Sequence, residues 1–180
     1  MKIINFYASP GSGKTLISAA IFVELKKIFS AVEINYEYAK RLVYEERNSI
    51  LQNNQLYIFA KQEKLFHDLK NKKIEYCITD SPLLLSIIYN NPEHLNQEIF
   101  ENLVLDVYRR YENINIFIER NPKFGHDPNG RIQKTLEEAT KLDTQILDMF
   151  KNFNISYHSV KNDKDITENI LEIVLKDRMN

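Results

Sequence analysis

Eight residues near the amino terminus, Ala8-Ser9-Pro10-Gly11-Ser12-Gly13-Lys14-Thr15, combine glycines, a lysine and a hydroxyl in an order suited to one kind of chemistry. Glycines let successive backbone N–H groups turn inward around anionic oxygens, and a helix N-terminus adds partial positive charge at the same place. The run fits the phosphate-binding pattern G-x-x-x-x-G-K-[ST], except that Ala8 occupies the first glycine position. That exchange is small for small and leaves Gly13-Lys14-Thr15 intact. In such a loop Pro10, Gly11, Ser12 and Gly13 cradle the phosphates, Lys14 reaches the β- and γ-phosphates, and the Thr15 hydroxyl ligates Mg²⁺. The expectation is a site for a nucleoside triphosphate and magnesium.

Such a site needs a second acidic group near the magnesium, at the end of a neighbouring strand. Asp80 is the candidate, because it ends an apolar strand-like run, Ile74-Glu75-Tyr76-Cys77-Ile78-Thr79. Aspartate is also a good helix N-cap, so Asp80 could cap the segment from Ser81, and the two roles are compatible.

Glycine is scarce, and its placement points to a second region. The chain has four glycines, Gly11, Gly13, Gly125 and Gly130, and three of its five prolines (Pro10, Pro122, Pro128) lie near them. The second glycine pair falls in a run without apolar periodicity, residues 120–133, which carries Arg120 and Arg131. An arginine fork neutralises charge on a transferring phosphoryl group in bidentate fashion. Glycine and proline make a mobile but shaped flap. This loop is either a catalytic lid, with Arg131 as first candidate and Arg120 as second, or a solvated polar surface.

The elements that would position these groups alternate. Strands are expected at residues 2–8, 31–35, 74–79, 114–118 and 155–160. Helices are expected from Lys14, at 37–47 and 54–71 with a break near Asn48, at 93–111, at 135–150 and at 165–176. In the first helix Leu16, Ala19, Ala20, Phe22 and Val23 form the expected inner side, and in the helix at 93–111 Ile99, Leu103, Val107 and Tyr111 recur at i, i+4. The pattern gives an α/β P-loop NTPase-type layer fold, with a mainly parallel five-stranded sheet and helices on both faces. At 180 residues the chain has room for one domain, 1–180, with the lid as a segment of it.

Composition removes other classes. The formal net charge of -1, from 24 basic and 25 acidic residues, supplies no global attraction for nucleic acid, although a local basic groove is allowed. The lone Cys77 has no disulfide partner and reads as a small buried strand residue. No apolar run approaches the ~20 residues of a membrane span. The expectation is a soluble cytoplasmic protein with no membrane partner, and its oligomeric state is left open. A GTPase would carry Asp-x-x-Gly where Asp80 is followed by Ser81-Pro82-Leu83. Its guanine motif would be Asn-Lys-x-Asp, whereas Asn162-Asp163-Lys164-Asp165 displaces the lysine by one. ATP is therefore favoured as the donor.

Three blocks in this order, Gly11-Ser12-Gly13-Lys14-Thr15, Glu37-Tyr38-Ala39-Lys40-Arg41-Leu42-Val43-Tyr44-Glu45 and Thr79-Asp80-Ser81-Pro82, resemble the P-loop kinase-like ATPases that include nicotinamide riboside kinase. Gly130-Arg131-Ile132-Gln133 followed by Glu137-Glu138-Ala139 is similar to the lid and post-lid helix of bacterial and phage members. The resemblance covers the first half of the chain and the lid. It implies a phosphotransferase using ATP and Mg²⁺, with Glu37 near the acceptor. A carboxylate at the carboxyl end of the second strand faces the same crevice as the loop. There it can take a hydroxyl proton or hold ribose hydroxyls. An exposed helix-start glutamate is the plainer role for Glu37.

The leading expectation is a kinase of a small nucleoside or nucleotide acceptor. A kinase of a hydroxyl on DNA or RNA, and a slow nucleotide-gated regulatory ATPase, are the alternatives.

Overall fold

The computed structural model describes residues 1–35, 42, 44–121 and 135–179. The strands are β1 (Lys2–Tyr7), β2 (Val32–Asn35), β3 (Tyr76–Thr79), β4 (Glu112–Glu119) and β5 (His158–Lys161). Among the described residues the helices are α1 (Lys14–Ile28), α2 (Asn48–Asn53), α3 (Gln55–Asn71), α4 (Leu85–Tyr89), α5 (Gln97–Tyr108), α6 (Leu136–Asn152) and α7 (Ile166–Met179).

The sheet is parallel throughout, in the order β2-β3-β1-β4-β5. The strand that feeds the phosphate-loop motif is therefore central, with chain on both sides. Alternation along the strands sorts the core into two layers. Ile4, Phe6, Ile78, Ile114, Ile116 and Ile118 point to one face, where Ile17, Ile21 and Leu25 of α1 and Ile170 and Val174 of α7 cover them. Ile3, Tyr7, Cys77 and Phe117 point to the other, under Phe59 and Phe66 of α3, Phe100 and Val104 of α5 and Ile146 and Phe150 of α6. Asn5 and Asn115 interrupt this second layer as register partners. The Asn5 amide donates to Asn115 Oδ1 at 3.2 Å and the Asn115 amide to the Tyr108 hydroxyl at 2.7 Å, so the buried polar groups are matched within the sheet.

Several boundaries differ from expectation, each for a local reason. The β3 strand starts at Tyr76 rather than Ile74 because Lys73 takes φ 58° and the Ile74 N–H closes the end of α3 on the Leu69 carbonyl at 3.2 Å. The β5 strand starts at His158 rather than Ile155 by the same device: Asn154 has φ 53° and Ile155 donates to the Phe150 carbonyl at 2.8 Å. The α5 helix is shorter than the expected 93–111, because the Asn96 side chain accepts from the Ile99 N–H at 3.1 Å and sets the start.

Its buried face is also displaced. Phe100, Val104, Val107 and Tyr108 face inward and Ile99 is 65% exposed. Two apolar stripes one residue apart compete on this helix, and the one bearing the larger aromatic rings is buried. In α1 the inward residues are Ile17, Ser18, Ile21 and Leu25, while Leu16 is 74% exposed. The run 16–23 is apolar nearly all round, so period alone does not fix its phase. The short helices α2 and α4 were not expected. The reading of 37–47 as helix falls mostly outside the described residues.

Candidate functional site

The Gly11 backbone has φ 84° and that of Gly13 has φ 88°, a region in which a side chain is strained. A Cβ on Gly13 would also come 3.3 Å from the Asn162 amide nitrogen. That amide donates to the Ser12 carbonyl at 2.7 Å, and Asn121 Nδ2 donates to the Asn162 carbonyl at 2.7 Å. The loop is thus braced from the segment after β5. The α1 helix begins at Lys14 with Gly13 as its N-cap, no side-chain cap and no acidic residue in its first turn. Its positive end is left to the loop.

Thr15 and Asp80 meet across the β1–β3 pair. The Thr15 hydroxyl donates to Asp80 Oδ2 at 2.7 Å. Asp80 is 5% exposed and its Oδ1 has no hydrogen-bond partner. The capping alternative is not what the side chain does: Ser81 N–H donates to Thr79 Oγ1 at 3.1 Å, and the next helix begins only at Leu85. Lys14 folds back on its own loop, Nζ donating to the carbonyls of Ala8 and Ser9, the latter at 3.3 Å.

Arg120 follows β4 and reaches the same loop. Its Nη2 donates to Ser9 Oγ at 2.7 Å and to the Pro10 carbonyl, while Nε and Nη1 are buried without hydrogen-bond partners. Asp143 of α6 joins this cluster, accepting from the Ser9 N–H at 2.6 Å and from the Ser9 hydroxyl at 2.8 Å, with Arg120 Nε 4.0 Å from Oδ2. Reasoning from sequence did not single out Asp143 or give Asn162 this role. Asp143 had a signal: it falls at inward spacing between Ala139 and Ile146, a charge on the apolar side of α6. Asn162 had none, since its contact is with a residue 150 positions away.

Pro10, Gly11, Ser12, Gly13, Lys14, Thr15, Asp80 and Arg120 are therefore brought together at the carboxyl ends of β1, β3 and β4. Glu37, Arg131 and residues 122–133 of the expected lid lie outside the described residues. Two unmatched donors on Arg120 and an unmatched acceptor on Asp80 fit a polyanion with a cation beside it. Among the described residues no group of three or more His, Cys, Asp and Glu could hold a metal alone. A hard cation here would depend on Thr15, Asp80, water and the oxygens of a bound phosphate.

A profile of the AAA domain family (AAA_28) matches residues 3–168. The chain belongs to this family. A search of curated proteins finds no match. Among solved structures, the fold is similar to thymidylate kinase from Ehrlichia chaffeensis, with a TM-score of 0.65 at 15% identity over 97% of this chain and 98% of that one. It is similar to the same degree, TM-score 0.65 at 15% identity over 97% of this chain, to the NadR protein in complex with NR. Here the chain spans about half of the neighbour, 51% of its length. The all-parallel sheet with its phosphate-loop motif is thus a P-loop kinase-like fold. No described helix is long and apolar enough to cross a membrane.

Proposed function

We propose that this AAA-domain family member is a small phosphotransferase that moves the γ-phosphate of ATP to a nucleoside or nucleotide, working as one domain over residues 1–180. The observation that carries the reading is the Thr15–Asp80 hydrogen bond of 2.7 Å beside a glycine-shaped loop, with Asp80 Oδ1 unmatched. Thr15 and Asp80 would hold Mg²⁺, which supplies charge neutralisation on the triphosphate.

The remaining roles belong to the chain. Lys14 is tethered to loop carbonyls and carries a positive charge on a flexible stem. It would exchange those carbonyls for β- and γ-phosphate oxygens. Arg120 is fixed on Ser9 and Pro10 with Nη1 unmatched and Nε turned to Asp143, and with Arg131 of the expected lid would stabilise charge that grows on the phosphoryl group. Glu37 would accept the proton of the attacking hydroxyl. The protein would act in the cytoplasm on a small acceptor.

The test is transfer of labelled γ-phosphate to a panel of nucleosides, nucleotides and DNA or RNA 5′-ends, compared with hydrolysis of ATP alone. Transfer to a small acceptor is expected. Transfer only to nucleic acid, or slow hydrolysis with no acceptor, would replace this reading by the corresponding alternative.

A further inference from the structure

Two carbonyls of the phosphate loop are held by side chains from other parts of the chain. In a planar trans peptide the C=O of one residue and the N–H of the next point in opposite directions. Fixing a carbonyl therefore aims the N–H that follows it. The Ser12 carbonyl accepts from Asn162 Nδ2 at 2.7 Å, and the N–H so aimed is that of Gly13. The Pro10 carbonyl accepts from Arg120 Nη2, and the N–H so aimed is that of Gly11.

Both aimed groups belong to left-handed glycines, Gly11 at φ 84° and Gly13 at φ 88°. Among the described residues neither N–H is donated to a backbone acceptor. Gly13 is pinned on its other side, because its carbonyl accepts from the Ile17 N–H at 3.0 Å as α1 begins. Only the 12–13 peptide is left to choose an orientation. A glycine flanks it, so no Cβ opposes its rotation, and a turned peptide would swing the Gly13 N–H toward Asn162. The hydrogen bond from Asn162 selects one orientation.

Asn162 is itself fixed. Its own carbonyl accepts from Asn121 Nδ2 at 2.7 Å, and Asn121 directly follows Arg120 after β4. Its amide also has little room, since a Cβ on Gly13 would stand 3.3 Å from Nδ2. Asn121, Asn162 and Ser12 thus form a chain of hydrogen bonds that reaches the loop from the ends of β4 and β5. Neither asparagine carries charge, so what the chain contributes at the loop is orientation. A backbone donor aimed in advance needs no reorganisation when an anion arrives.

We propose that Asn162 is a positioning residue of the phosphate site, holding the Ser12 carbonyl so that the Gly13 N–H is aimed at the triphosphate. The inference rests on the reading of the loop as the ATP site of a phosphotransferase, and its test separates the two. The four glycines have different predecessors, Pro10, Ser12, Phe124 and Asn129, so each amide can be identified by labelling alone. In the full chain carrying ¹⁵N-glycine, carbonyl-¹³C serine marks Gly13 and carbonyl-¹³C proline marks Gly11.

Titration with ATP and magnesium should move both glycine signals in the wild type. In Asn162→Leu at saturating ATP the Gly13 shift should be largely lost, while Gly11, aimed by Arg120, should move as in wild type. ATP affinity should fall roughly tenfold, the loss of one hydrogen bond to a charged group. A general loosening of the fold would affect both glycines alike, so their contrast reports orientation and not stability. If Asn162→Leu does not fold, Asn162→Asp, equal in size but without the donor, carries the same contrast. Equal Gly13 shifts in wild type and variant, or equal losses at Gly11 and Gly13, would overturn the proposal and leave the ATP site in place. Neither glycine moving in the wild type would overturn the proposed function and this inference with it.

Discussion

Asp143 grips Ser9 by both its backbone N–H and its hydroxyl, at 2.6 and 2.8 Å, across 134 positions of sequence. The carboxylate thereby joins α6, the helix after the expected lid, to the second residue of the phosphate-loop motif. Arg120, on the chain entering that expected lid, is hydrogen-bonded to the same Ser9 hydroxyl at 2.7 Å. Arg120 and Asp143, on the elements that precede and follow the expected lid, thus both bond to Ser9 of the loop. Asp143→Ala should destabilise the fold by about 2 kcal/mol, since two hydrogen bonds to a largely buried carboxylate are lost and Arg120 loses its counter-charge. ATP affinity should fall with it. Urea unfolding and a nucleotide titration check both, and wild-type behaviour in each would make the Ser9 contact incidental.

Lys14→Ala should lower γ-phosphate transfer on the order of 10²–10³-fold with the fold retained. The side chain contacts carbonyls of its own loop and fills no core position. Circular dichroism with steady-state kinetics would separate the outcomes. An unfolded variant, or normal turnover, would count against the phosphate reading of the loop.

Asp80→Asn keeps an acceptor for the Thr15 hydroxyl but removes the charge. The magnesium concentration needed for half-maximal activity should rise about tenfold or more, a change of roughly 1.4 kcal/mol in metal binding. A magnesium titration of activity reads it directly. Unchanged magnesium dependence would make Asp80 a purely structural partner of Thr15.

The two arginines should separate kinetically. Arg120 is bonded to Ser9 and Pro10, so Arg120→Ala should weaken ATP binding as well as turnover. If Arg131 meets the phosphoryl group only as charge spreads over its oxygens, Arg131→Ala should lower turnover by about 10²–10³ and leave ATP binding nearly unchanged. Lysine at 131 should rescue only in part, for want of the planar fork. Equal losses in binding and turnover for Arg131→Ala would remove it from the transition state.

Stability should decline on the alkaline side. Burial pushes the Cys77 thiol from 9.0 up to about 12 and raises the Tyr7 and Tyr108 hydroxyls from 10.0. In each case the folded chain holds a proton that the unfolded chain releases, so the contribution is intact below the unfolded value and is lost as pH rises above it. For Cys77 the loss begins near pH 9 and steepens toward about 1.4 kcal/mol per pH unit until pH approaches 12. Urea melts at pH 7, 9 and 10 of wild type and Cys77→Val should show the variant declining less between pH 9 and 10. Parallel declines would exclude the thiol as the cause.

Local sequence determined the strand–loop–helix unit around Gly11 and Gly13, the strand that delivers Asp80 and the alternation that makes the sheet parallel, because each is a matter of neighbouring residues. The amphipathic pattern of α6 was equally legible, and its Thr135–Glu138 capping box marks its start in the residues themselves. Tertiary structure decided what period cannot. The inward face of α1 was settled by which residues meet Phe6 and Ile170, since a helix apolar nearly all round has no preferred phase. The α5 stripe was chosen by the area that Phe100 and Tyr108 bury. The grip of Asp143 on Ser9 and the brace from Asn162 to Ser12 exist only because the order β2-β3-β1-β4-β5 brings distant strand ends to one edge. Hydrogen bonds spanning more than a hundred positions leave no local periodicity, so only the folded chain reveals them.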